Sequence, residues 1–156
     1  MKLVPSLSVL LLATSVAFIP ATYAAGPMGE DETAVWSVIE ASWEDETGET
    51  GAWPSEYIHD DAHGWGAEWP MPRDAESLAN WSRFGAESGQ SLIYELFPMN
   101  VTVSGDTAVV YYASVQVREN HEDERERTST GLVETLVRTD AGWKFIGLTS
   151  FELGDD

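Results

Sequence analysis

The chain contains no cysteine, so disulfides, thiolate metal ligands and cysteine nucleophiles are all excluded, and its stability must come from packing. Basic residues are scarce. Eight Lys and Arg stand against 27 Asp and Glu, giving a formal net charge of −19 at pH 7. Such a surface repels nucleic acid and anionic lipid, and neither partner is expected. Its ordinary meaning is solubility, with attraction of cationic ligands as the functional alternative. There is no Gly-rich phosphate loop, no serine nucleophile elbow and no internal repeat, so no cofactor is expected.

Only one long apolar run exists, and it lies at the start. Lys2 precedes an apolar stretch from about Leu7 to Ile19, followed by Pro20-Ala21-Thr22-Tyr23-Ala24-Ala25. A charged start, an apolar middle and a small-residue exit describe a secretory signal peptide over residues 1–24, cleaved after Ala24. The alternative is an uncleaved anchor, but the run is shorter than the roughly 20 residues a bilayer span needs. Export without disulfides points to a bacterial periplasm or exterior, with no membrane attachment once the peptide is removed. Lys2 leaves with it, so the mature chain sets 7 basic against 27 acidic side chains.

What remains is enough for one domain. Residues 25–31 read as a linker, 32–153 as the domain and 154–156 as a tail. A helix is predicted from about Glu32 to Glu46, with Asp31 as N-cap, acids in its first turn and Gly48 as its stop. Trp36, Ile39 and Trp43 fall on one face of it. Residues 49–73 are irregular: Pro54 permits one helical turn, and Tyr57 to Arg73 is broken by Gly and Pro. Asp74 can cap a second helix, Ala75 to about Gly85, that presents Leu78, Trp81 and Phe84. Four of the seven Trp lie between 53 and 81, which suggests a lid over a cavity.

From Ser91 to Leu153 the pattern is that of four long strands. The first carries Pro98, which implies a bend or an edge position. In the second, Val109, Tyr111, Ala113, Val115 and Val117 make one apolar face; Ala108, Val110, Tyr112, Ser114 and Gln116 make a mixed one. An acid-rich hairpin tip spans Glu119 to Glu126, and strands Thr128–Arg138 and Trp143–Leu153 follow. Ser104-Gly105-Asp106 and Asp140-Ala141-Gly142 are tight-turn signals, so an antiparallel meander is expected.

This order resembles the nuclear transport factor 2-like superfamily, which includes SnoaL-like cyclases and ketosteroid isomerases. The resemblance rests on Asp60-Asp61, on Val103-Ser104-Gly105-Asp106-Thr107-Ala108-Val109-Val110 and on Gly142-Trp143-Lys144, and it covers Glu32 to Leu153. It implies an α+β, cone-shaped fold: a strongly curved antiparallel sheet of four to six strands, packed by a long N-terminal helix and two shorter helices. The same resemblance implies a mostly apolar pocket and a homodimer formed through the sheet. Where such proteins are enzymes, an Asp, Glu or His in the pocket acts on a small hydrophobic substrate, but fold alone does not transfer that activity.

The expected ligand is therefore a small apolar or aromatic molecule, in a pocket lined by Trp36, Tyr57, Trp65, Trp69, Tyr112, Phe145 and Thr149. The rival readings are an isomerase, cyclase or hydrolase and a protein-interaction module. His59 and Asp60 are the catalytic candidates, since an imidazole and a carboxylate among indoles could exchange protons; the plainer role of Asp60 and Asp61 is to turn the chain. No metal site is expected: Gly64 and Gly66 oppose the helix that would align His59 with His63. Some members of the superfamily that the chain resembles carry His at two alternate, inward positions of the closing strand, where this chain has Gly147 and Thr149; the resemblance thus implies that Gly147 widens the cavity and Thr149 offers a hydroxyl. The sheet's inward positions thus appear stripped of titratable groups, and any chemistry is expected to come from the lid.

Overall fold

A computed structural model describes residues 27–154 apart from Glu49 and Glu68. The expected signal peptide at 1–24 lies outside the described residues. Helix α1 spans Glu30–Thr47, and Glu30, Asp31 and Glu32 fill its first turn, where carboxylates meet the positive end of the helix. Glu32 reaches back to accept the Gly29 N–H at 2.8 Å, so the cap falls at Gly29 rather than Asp31. Asp31 instead pairs with Arg138 of the sheet at 2.8 Å. Val35, Ile39 and Ser42 form the buried stripe of the helix, and Trp36 and Trp43 pack beside it.

After α1 come strands β1 (Ile58–Gly66) and β2 (Arg73–Asp74), helix α2 (Ala75–Glu87), and strands β3 (Gly89–Ser104), β4 (Thr107–Asn120), β5 (Arg125–Thr139) and β6 (Gly142–Glu152). They build one open, curved sheet in the order β2-β1-β6-β5-β4-β3. The meander β3 to β6 is antiparallel throughout, as its turns predict. Two features depart from the sequence reading. The resemblance implies two shorter helices, whereas α2 is the one found among the described residues and the segment after α1 makes only the single turn that Pro54 permits, with the Glu56 N–H on the Ala52 carbonyl at 2.9 Å. The stretch read as irregular contains β1, which runs parallel to β6. A parallel neighbour needs a long crossover, and the chain between β1 and β6 supplies one through α2 and four strands.

Pro98 proves to sit on the edge strand, and the β3–β4 pairing is irregular between Pro98 and Asn100. A residue without an N–H is tolerated at such a place. α1 covers the mixed face of β4, so Ala108, Val110, Tyr112 and Ser114 are buried, while Tyr111 of the apolar face is 44% exposed. The core gathers Val35 and Ile39 against Val101, Val110, Leu136 and Phe145.

One bulge redirects the last strand. Thr135 pairs with Gly147 but Leu136 pairs with Phe145, leaving Ile146 as an extra residue. A one-residue slip exchanges faces. Leu148 and Ser150 therefore take the inward phase, opposite Glu134 and Leu132, and Gly147 and Thr149 take the outward one. A side chain at Gly147 would meet Thr135 on that outer face, so this glycine does not widen the interior.

Candidate ligand-binding cavity

Between the inner face of the sheet, α1, α2 and β1 lies a cavity of about 330 Å³. Five of the seven Trp border it: Trp43, Trp53, Trp65, Trp69 and Trp81. Leu132 and Leu148 add apolar wall from the sheet, and Leu78 adds it from α2. Ala62 and Gly64 take buried positions on β1. A Cβ at Gly64 would stand 2.8 Å from a Leu78 methyl, so Leu78 would have to move to admit one. The Gly-rich sequence that looked like a loop is thus a strand packed too closely for side chains.

The tryptophan-rich cover is tied together at several points. The Trp65 indole N–H donates to the Trp69 carbonyl at 2.9 Å. The Arg73 guanidinium lies 4.5 Å from the centre of the Trp69 ring and 4.3 Å from that of Trp81, a cation–π contact with both. Asp74 caps α2 by accepting the Ser77 N–H at 2.9 Å, which fixes where Trp81 emerges.

The polar groups come from α1 and the sheet. Glu134 of β5, opposite Val110, is only 5% exposed and borders the cavity. Burial pushes its carboxyl up to about 8, the Tyr112 hydroxyl pulls the other way, and Glu46 adds a smaller upward push. Its Oε2 is enclosed with no hydrogen-bond donor. The Tyr112 hydroxyl accepts the Trp43 indole N–H at 2.9 Å, and its own ionisation is raised by burial and then by Glu134. Glu46 of α1 also borders the cavity and keeps surface that water can reach; loss of hydration raises its carboxyl and Arg118 pulls it back down. Arg118 is held at the far end of β4, where it donates to the Gly85 and Gly89 carbonyls at 2.9 and 3.2 Å.

Of the residues singled out from sequence, Trp65, Trp69 and Thr149 border this cavity. Trp65 and Thr149 are cross-strand partners and both are exposed. Trp36 and Phe145 belong to the core instead: Trp36 meets Tyr112 edge-on at 5.6 Å, and Phe145 meets Trp53 edge-on at 5.9 Å. Tyr57 gives its hydroxyl hydrogen to the Asp45 carboxylate, which pushes the phenol up to about 12. Tyr112 contributes only through the chain from Trp43 to Glu134. His59 is half-buried and Asp60 exposed, and neither borders the cavity; the His59 Nδ1 accepts the Asp61 N–H at 3.1 Å.

Glu134 is the residue the sequence reading passed over. The expectation that inward sheet positions carry no titratable group is corrected by it. A signal was available: Leu132, Glu134 and Leu136 alternate on one face, a carboxyl between two leucines.

An open curved sheet with a long helix across it and a cavity between them defines the nuclear transport factor 2-like class of α+β domains. Residues 52–148 match the SnoaL-like domain family, and the chain belongs to that family. No curated protein matches it in sequence. Among solved structures it is similar to a ketosteroid isomerase-like protein from Erwinia carotovora atroseptica, with a TM-score of 0.69 at 16% identity over 82% of this chain and 100% of that one. A nuclear transport factor 2-like protein from Cytophaga hutchinsonii gives 0.65 at 12% identity, covering 81% and 100%. A protein with a cystatin-like fold from Caulobacter vibrioides gives 0.61 at 15%, covering 82% and 93%. Identities this low speak for the fold alone.

Proposed function

We propose that the domain binds a small, largely apolar molecule with one polar group inside the tryptophan-lined cavity. The observation that carries this reading is Glu134. A buried carboxyl oxygen without a donor costs roughly 1–3 kcal/mol, and such a group is explained where a ligand completes it. The indoles of Trp43, Trp53 and Trp81 supply rigid apolar area around it. Titration with a panel of aromatic compounds should change the intrinsic tryptophan fluorescence saturably, and Trp81→Ala should weaken the response. Silence across the panel sinks the proposal.

A second reading, proton-transfer catalysis as in an isomerase, cyclase or hydrolase, is favoured by one observation. Glu134 and Glu46 titrate near 8 and near 7, the range in which a carboxyl exchanges protons efficiently at neutral pH. Glu134, rather than His59 or Asp60, is the acid or base of this reading. Turnover surviving intact in Glu134→Gln would exclude it.

The reading extends to the molecule's surroundings. Homodimer formation through the outer sheet face is supported by the exposure of Ile93, Phe97 and Tyr111, at 63%, 46% and 44%. Export is supported by the pattern of residues 1–24, and a mature N-terminus at Ala25 on the secreted chain would establish it.

A further inference from the structure

Resting on the binding reading above, we infer that the ligand is an organic cation, an ammonium group on an apolar body, held between Glu46 and Glu134 against the indole rings. Two carboxyls border one cavity of about 330 Å³, and the charge of Glu46 disfavours the ionisation of Glu134. A positive charge placed between them favours the ionisation of both near neutral pH. The cavity's own basic side chain, Arg118, is bonded to the Gly85 and Gly89 carbonyls and bears on Glu46 but not on Glu134. It lies eight residues along β4 from Val110, the partner of Glu134.

The walls suit the same ligand. Indole is the best aromatic acceptor of a cation, and five indoles border the cavity. Two of them, Trp69 and Trp81, already hold the Arg73 guanidinium within 4.5 Å, so these rings take a cation in this very molecule. An excess of 27 acidic over 8 basic side chains also concentrates cations around the opening. The Glu134 carboxylate is then the acceptor for the ammonium N–H.

Binding of this kind releases protons. The groups that bear on Glu134 are Tyr112 from β4 and Glu46 from α1, with Arg118 acting on Glu46. Its neighbours across β5–β6 and at β1, Leu148, Ser150 and Gly64, do not titrate. Below the pH at which Glu134 ionises unaided, a cation must displace its proton, so affinity should rise with pH by up to about tenfold per unit.

The test is calorimetric titration of the folded chain with a matched series on phenyl and naphthyl bodies: the ethylammonium, the ethanol and the propanoate. Near pH 7 the cation should bind about tenfold or more tightly than the alcohol, with proton release seen as a dependence of the heat on the buffer. Glu134→Gln should remove that preference, and Glu46→Gln should reduce it, which covers a Glu134 variant that fails to fold. An alcohol binding as tightly as the cation overturns this inference and leaves the binding reading standing. Displacement of the cation by equimolar calcium also overturns it, assigning the carboxyls to an inorganic ion. If no member of the series binds, both readings fall.

Discussion

Replacing Glu134 by glutamine should make the protein's stability far less sensitive to pH. Glutamine keeps the shape and removes the charge. In the folded chain the Glu134 carboxyl stays protonated up to about pH 8, against an ordinary value of 4.5 that the unfolded chain regains. Between those limits the native state binds one proton more than the unfolded state. Stability therefore falls as pH rises, by about 1.4 kcal/mol per pH unit from this group alone. Across the whole interval the loss reaches about 5 kcal/mol, a large share of the 5–15 kcal/mol that holds a typical domain together. The Gln variant avoids it, so its advantage should be near zero at pH 4.5 and grow steadily towards pH 8. General repulsion among the 27 acidic residues also weakens the fold at high pH, but it is nearly equal in both proteins and cancels in their difference. Urea unfolding followed by tryptophan fluorescence, at about pH 5 and about pH 8, measures that difference directly. A gap between the two proteins that stays constant over the range would refute the assignment of a buried, proton-bearing carboxyl.

Three further outcomes follow from the same packing. Tyr112→Phe strips the Trp43 N–H of its acceptor and removes the hydroxyl that holds Glu134 down; urea unfolding should show a loss of about 1–3 kcal/mol, and the pH midpoint of the Glu134 effect should move upward. Gly89→Ala would place a Cβ 2.5 Å from the Glu119 carbonyl oxygen and 3.2 Å from the Asn120 Cα, both backbone atoms. The first rungs of the β3–β4 ladder must then separate, at a cost of about 1–3 kcal/mol in the same assay. On the outer sheet face, Ile93→Asp with Phe97→Asp should roughly halve the mass seen by light scattering, because like charges facing across a two-fold interface repel; a wild-type chain that is already monomeric refutes that interface.

Local chemistry made much of the fold readable. The two helices announce themselves through acids at their starts and apolar residues three and four apart, and both lie within two residues of where those signals put them. The meander from Gly89 to Glu152 is legible because alternation and tight turns are encoded within each strand and its neighbour. β1 carries no such signal. Its Gly64 answers to Leu78 of α2 and its hydrogen bonds to β6, partners that lie outside the strand's own sequence.

The candidate site divides in the same way. Sequence by itself determined that tryptophans crowd residues 53–81 and that a sheet follows, so a tryptophan-bordered cavity was expected and Trp65 and Trp69 were named for it. Tertiary structure alone decided which strand faces are inward. α1 covers the mixed face of β4, which buries Tyr112 and Ser114 and leaves Tyr111 outside. The extra residue at Ile146 reverses the phase of β6, so Leu148 and Ser150 rather than Gly147 face inward. Alternation states that two faces differ, but only the element packed against a strand settles which face loses its water. Glu134 owes its raised proton affinity to that choice, and an acidic residue in a strand becomes the polar centre of a cavity only once the helix and the indoles have closed over it.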